Sequence, residues 1–160
     1  MILGWARRVS DYMNEDRVDS LEHESDAIES DEFEIGLDVS NFPLVEVTFP
    51  KRITIASLDR HFALLVELGE KHKKFALLIH IDHLISAPKG IRTHASAKLN
   101  ETNTLVSGSV VCVAHIADNW LGRAVLTVVL SASKKSSYPE RTFRQRSAAI
   151  AWARKRLATS

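Results

Sequence analysis

His80, Asp82 and His83 lie within four residues of one another, and imidazole and carboxylate are both zinc ligands. On an extended strand His80 and Asp82 point to the same face, so the run is a possible metal seed. Zinc needs about four ligands in a tetrahedron, and no fourth is marked. A strand-end histidine bonded to backbone is the commoner arrangement, so we expect no metal and no cofactor. In the same segment Ser86 precedes Ala87 and Pro88, where a hydroxyl suits the cap of the next helix. A phosphate there would also be favoured by the helix start, which makes Ser86 a candidate switch. Cys112 is the single cysteine. It stands in an apolar run and reads as inert core, with a reactive thiol as the alternative. The sequence has no Gly-x-Ser-x-Gly elbow and no Gly-rich or Walker-type phosphate loop, so we expect no enzyme.

The strongest polar signal is basic: Lys134, Lys135, Arg141, Arg144, Arg146, Arg154, Lys155 and Arg156. Such a cluster is usually solvated surface, and otherwise a face for phosphate or acidic groups. No aromatics interleave with these charges in a base-stacking pattern, so sequence-specific reading of nucleic acid is not expected. Contact with an acidic protein, or with the chain's own start, fits better. Residues 1–38 carry 12 acidic against 3 basic side chains, although the whole chain has a net charge of +1.

The elements that must position these groups follow from patterning. Residues 1–32 are acidic and poor in apolar side chains, and read as an arm that buries too little to order itself. From Phe33 to Val39 apolar residues alternate, a strand. Ser40 to Pro43 is a turn, and Leu44 to Phe49 a second strand. Thr54 or Ser57 caps a helix whose apolar face is Leu58, Phe62, Leu65, Val66 and Leu68. Phe75 to Ile81 is continuously apolar, as in a central strand covered on both faces. A loop from Asp82 to Lys89 leads to a helix over 90–99, and 100–108 reads as a polar turn. Val110 to Ile116 is another buried strand, and Asp118 or Asn119 caps a third helix. Arg141 to Phe143 is a short last strand. In the last helix Ala149, Trp152, Ala153, Arg156 and Leu157 form one stripe, and Trp120 and Trp152 are both expected to pack on the sheet. The fold class is α/β, a mixed, mostly parallel sheet of about five strands in the order β-β-α-β-α-β-α-β-α.

That order, with Phe75 to Asp82, the run Asp118-Asn119-Trp120-Leu121-Gly122-Arg123, and Tyr138-Pro139-x-Arg141-x-Phe143 before Ala149-x-x-Trp152, resembles STAS-type domains. The likeness is to the SpoIIAA-like branch, akin to anti-sigma-factor antagonists. It covers residues 33–157 of a domain placed at 33–160. It implies a regulatory protein-binding module in which a kinase partner phosphorylates a serine after the third strand. The Asp-Ser-Ser-Gly type of acceptor is absent here, and Thr93 is the hydroxyl near the expected offset. The implied partner-binding loop is Asp82, His83, Ser86, Lys89, Arg92 and Thr93. The basic face Lys134, Lys135, Arg141, Arg144, Arg154 and Arg156 stands beside it as a second surface.

Two functions follow as expectations: a non-enzymatic module for a protein partner, or a carrier or sensor of a lipid or other small apolar ligand. The second is motivated by the likeness of this branch to lipid carriers of the CRAL-TRIO group and by the apolar third helix. A homodimer is compatible with either. No apolar run reaches the roughly 18–20 residues of a membrane span. Arg7 and Arg8 follow the short apolar start instead of preceding it, unlike a secretory signal. The expectation is a cytoplasmic protein of bacterial type.

Overall fold

The computed structural model describes residues 33–71, 74–84, 90–132 and 135–160. The expected arm at 1–32 lies outside them, as do Ser86, Lys89 and Lys134. In chain order the elements are β1 (Gly36–Asp38), β2 (Leu44–Thr48), α1 (Ile55–Lys71), β3 (Phe75–His80), α2 (Ile91–Val106), β4 (Val110–Ile116), α3 (Trp120–Ala132), β5 (Glu140–Phe143) and α4 (Arg146–Leu157). The strands form one α/β sheet in sequential order; β1 is antiparallel to β2 and every other pair is parallel. Among the described residues no helix is long and apolar enough to cross a membrane.

Local chemistry sets the element ends. Thr54 and Ser57 exchange bonds at the start of α1: each backbone N–H donates to the other's hydroxyl, both at 3.0 Å. That reciprocal cap satisfies two N–H groups left over at a helix start. Asn119 caps α3, its Oδ1 accepting the Gly122 N–H at 2.6 Å. At α2 the N-cap position belongs to Gly90, with φ 85° and no side-chain cap. The left-handed backbone there suits glycine, and the expected cap, Ser86, lies outside the described residues. The helix also runs on to Val106, through the segment expected to be a polar turn. Burial of Thr102 and Val106 overrides the weak local propensity, and Val106 Cγ1 fills the space where Gly69 of α1 has no side chain.

Strand alternation sorts the core into two layers. Val45, Val47, Phe75, Leu77, Val110 and Val113 face α1 and α2, with Leu58, Phe62 and Leu65 opposite. Ala76, Leu78, Cys112, Ala114 and Ile116 face α4, where they meet Ala149 and Ala153. A register shift between Phe75 and Ala76 in the β3–β4 ladder sets Phe75 opposite Val110 and Ala76 opposite Cys112. The extra residue, Val111, lets Val110 and Val113 share one face. Cys112 is fully buried on the other, and burial raises its thiol pKa to about 11. The inert-core reading of this cysteine therefore holds.

The tryptophans diverge from expectation. Trp152 is half-buried against the α4 layer, its ring 5.5 Å from that of Phe143. Trp120 is 73% exposed and does not pack on the sheet. Gly122 approaches the Ile81 carbonyl, while Leu126 and Leu130, four and eight residues on, line the inner side of α3. Two residues before Gly122, Trp120 lies about 200° around the helix.

The closeness of α4 to the sheet rests on small side chains. Ala153→Leu should destabilise the protein by about 1–3 kcal/mol through overpacking. The same change at exposed Ala151 should stay within about 0.5 kcal/mol; urea titration of both variants checks this.

Candidate functional site

On the opposite face the helices stand off. Between α1, α2, α3 and the sheet lies a cavity of about 590 Å³. Its walls are mainly apolar: Phe62 and Leu65 from α1, Leu77 and Ile79 from β3, Leu99 from α2, Leu126 from α3. Phe49, Ile81 and Leu84, at the carboxyl ends of the strands, also contribute, as do Arg92 and Thr93 in the first turn of α2. In open α/β sheets that end is the usual place for ligands. A second recess of about 380 Å³ shares Leu99, Asn103, Leu130, Tyr138 and Glu140 with it and adds Lys135 and Ser136.

A few polar groups interrupt this lining. His61 on α1 is only 4% exposed, its ring 5.9 Å from Phe49 and 5.5 Å from Phe62. Burial lowers its pKa to about 4, so it is neutral near pH 7, and its Nδ1 has no hydrogen-bond partner. Across the cavity Glu140 joins two partners. Ser136 Oγ donates to its Oε1, and its Oε2 lies 3.4 Å from His115 Nε2. Burial would raise the pKa of Glu140, but the hydrogen bonds to His115 and Ser136 outweigh it and hold the carboxyl below its ordinary value. His115 is 5% exposed, and its Nδ1 also lacks a partner. Tyr138 donates to Asn103 Oδ1; burial, then the Glu140 charge, push its phenol upward.

The residues singled out in the sequence part company here. His80 faces the α4 layer, where its Nε2 meets Glu46 Oε2 at 2.8 Å. Arg146 clasps the same carboxylate with two nitrogens. Burial opposes ionisation of Glu46, yet Arg146 and then His80 keep its pKa below the ordinary value. Asp82 ties the loop after β3 to the loop after β4: its Oδ1 accepts the Asp118 N–H at 2.6 Å, and its carbonyl accepts from Asn119 Nδ2 at 2.7 Å. His83 is exposed beside it. The expected loop is thus divided, with Asp82 locked, and Arg92 and Thr93 on the cavity wall.

The basic face is divided as well. Lys135 belongs to the recess on the cavity side, while Arg141, Arg144, Arg154 and Arg156 are exposed on β5, α4 and the turn between them. Two of these charges lie against aromatic rings in space. The Arg141 guanidinium lies 5.3 Å from the Phe143 centroid, Phe143 contacts Trp152, and Arg156 lies 5.7 Å from the Trp152 centroid. The sequence hid this ladder because its members come from two elements. The Ser136–Glu140–His115 relay and the cavity histidine His61 were missed too. The approach of a half-buried glutamate to a histidine 25 residues away leaves no spacing signal.

Comparison with known protein families, curated proteins and solved structures finds no match for this chain.

His61 makes stability depend on pH. Unfolded, it binds a proton near pH 6.5; folded, only near 4. Between those values the unfolded chain carries the extra proton, so stability is highest above 6.5 and falls as pH drops. Urea titrations should show a loss of about 2 kcal/mol between pH 7.5 and 5, and His61→Phe should abolish it. The depressed carboxyls of Glu46 and Glu140 add their loss only below 4.5, outside this window.

Proposed function

We propose that the chain is a non-enzymatic binding domain for a small, mainly apolar molecule, built on a STAS-type domain of the SpoIIAA-like branch. The cavity carries this reading. Protein interiors are normally packed with few voids larger than a water molecule, whereas ligand pockets measure roughly 300–1,000 Å³ and pair apolar walls with a few placed polar groups. The space of about 590 Å³ beneath α1, α2 and α3 has that size and that composition. The five-stranded mixed sheet and the element order are compatible with the proposed family.

A second reading, a surface for a protein partner, is favoured by Trp120. An indole 73% exposed stands directly after Asp118 and Asn119, which hold Asp82. Aromatic side chains of this kind dominate protein interfaces. The two readings combine if an occupant of the cavity alters how Arg92, Thr93 and Trp120 are presented.

Ala95 lines the cavity, and Ala95→Phe should fill it. Binding of Nile red to the purified chain, followed by fluorescence, should weaken at least about tenfold in that variant, equivalent to about 1.4 kcal/mol. Equal binding by both forms would remove the cavity as the site. Trp120→Ala should leave stability within about 0.5 kcal/mol and abolish capture of any protein partner that the unaltered chain retains from its host's extract.

A further inference from the structure

The cavity wall is electrically polarised along the strands. Among its described residues Arg92 is the one lysine or arginine, and Glu140 is the one carboxylate. They stand at opposite ends. Arg92 lies in the first turn of α2, at the carboxyl ends of the strands with Phe49, Ile81 and Leu84, whereas Glu140 opens β5 at the amino end. The two charges also differ in what they meet. Glu140 takes the Ser136 hydroxyl on one oxygen and faces His115 with the other. Arg92 is exposed and meets no carboxylate among the described residues.

Helix geometry aims Arg92 at the cavity mouth. Arg92, Ala95, Leu99, Thr102 and Val106, at offsets 0, 3, 7, 10 and 14, make one stripe of α2, and all five line the wall. Side chains on a helix lean toward its N-terminus, so the guanidinium reaches beyond the apolar lining while its stem belongs to the wall. Arginine stays charged at any ordinary pH. A cationic occupant is repelled at this end, and at the other it finds the carboxylate already engaged. One guanidinium balances one negative charge, which suits a carboxylate better than a dianionic phosphate.

We propose that the occupant of the cavity is an apolar molecule ending in a carboxylate, with its head held by Arg92 at the mouth and its body between the helices and the sheet. The inference rests on the cavity reading above and adds the class of ligand. The fork of N–H donors on arginine matches the two oxygens of a carboxylate, and Thr93 on the same wall adds a hydroxyl. At the mouth the head keeps part of its hydration, which limits the cost of desolvating it.

The test uses the full chain, isothermal titration at neutral pH, and three probes with the same ten-carbon body: decanoate, decan-1-ol and decylammonium. The informative quantity is the preference for decanoate over decan-1-ol in each protein. Arg92→Gln should lower that preference about tenfold, the worth of one charge-assisted hydrogen bond, and Arg92→Lys should keep the larger part of it. Added sodium chloride should narrow the preference in the unaltered chain, which gives the same answer if Arg92→Gln fails to fold. Ala95→Phe, which fills the cavity, should weaken all three probes. Decanoate binding that survives Ala95→Phe lies on another basic surface and overturns the assignment. If decanoate and decan-1-ol bind but neither Arg92→Gln nor salt moves the preference, the carboxylate assignment is overturned and the cavity reading survives. Tighter binding of decylammonium than of decanoate overturns it as well. Failure of all three probes to bind overturns both readings.

Discussion

Side chains alternate across a strand, and in this sheet the two faces differ in how many small residues they carry. The face toward α4 sets Ala76, Cys112 and Ala114 among Leu44, Leu78 and Ile116, and α4 answers with Ala149 and Ala153. Backbones can then approach closely. The other face carries Phe75, Leu77 and Val113 against Phe62 and Leu65, and bulk on both sides holds the helices away. The cavity is the remainder of that unequal layering. Its walls come from helices that pack chiefly on one another, tied at one point by His94 of α2 to Asp59 of α1 at 2.6 Å.

Polar chemistry follows the same partition. On the α4 side Glu46, His80 and Arg146 satisfy one another, a closed set that joins two strands to a helix. On the cavity side the corresponding sets remain open, and His61 and His115 each keep one ring nitrogen without a partner. A buried polar atom left so is uncommon in a folded protein. Ser96 Oγ of α2 is a third such atom, away from the cavity, whereas His61 and His115 are residues of its wall.

Much of this fold was legible in the residues. The element order and the core strands follow from apolar period, and the caps at Thr54 and Asn119 follow from side chains that compete for backbone N–H groups. Cys112 announced its burial through its neighbours. The site was far less legible. A standing-off helix layer depends on the sum of side-chain volumes on two surfaces, and no local pattern encodes that sum. The extra residue Val111, which lets β4 direct Val110 and Val113 to one face, looks like any other valine in a strand. Trp120 misled because an aromatic on an apolar helix suggests core, while its angular distance from Gly122 decides otherwise. Arg141, Phe143, Trp152 and Arg156 were each visible, but the Phe143–Trp152 contact that joins the two pairs needed β5 and α4 side by side.

Unequal layering also gives the protein two mechanical characters. Close-packed interiors resist compression, whereas an apolar space that water fills poorly is volume the molecule can surrender. The half of the sheet beneath α4 is stiff, and the half beneath α1, α2 and α3 is compliant. Hydrostatic pressure would act first on the compliant half, drawing the three helices toward the sheet or driving water between them, while the α4 layer keeps its dimensions. An occupant of the right volume would remove that difference and leave a domain of nearly uniform stiffness.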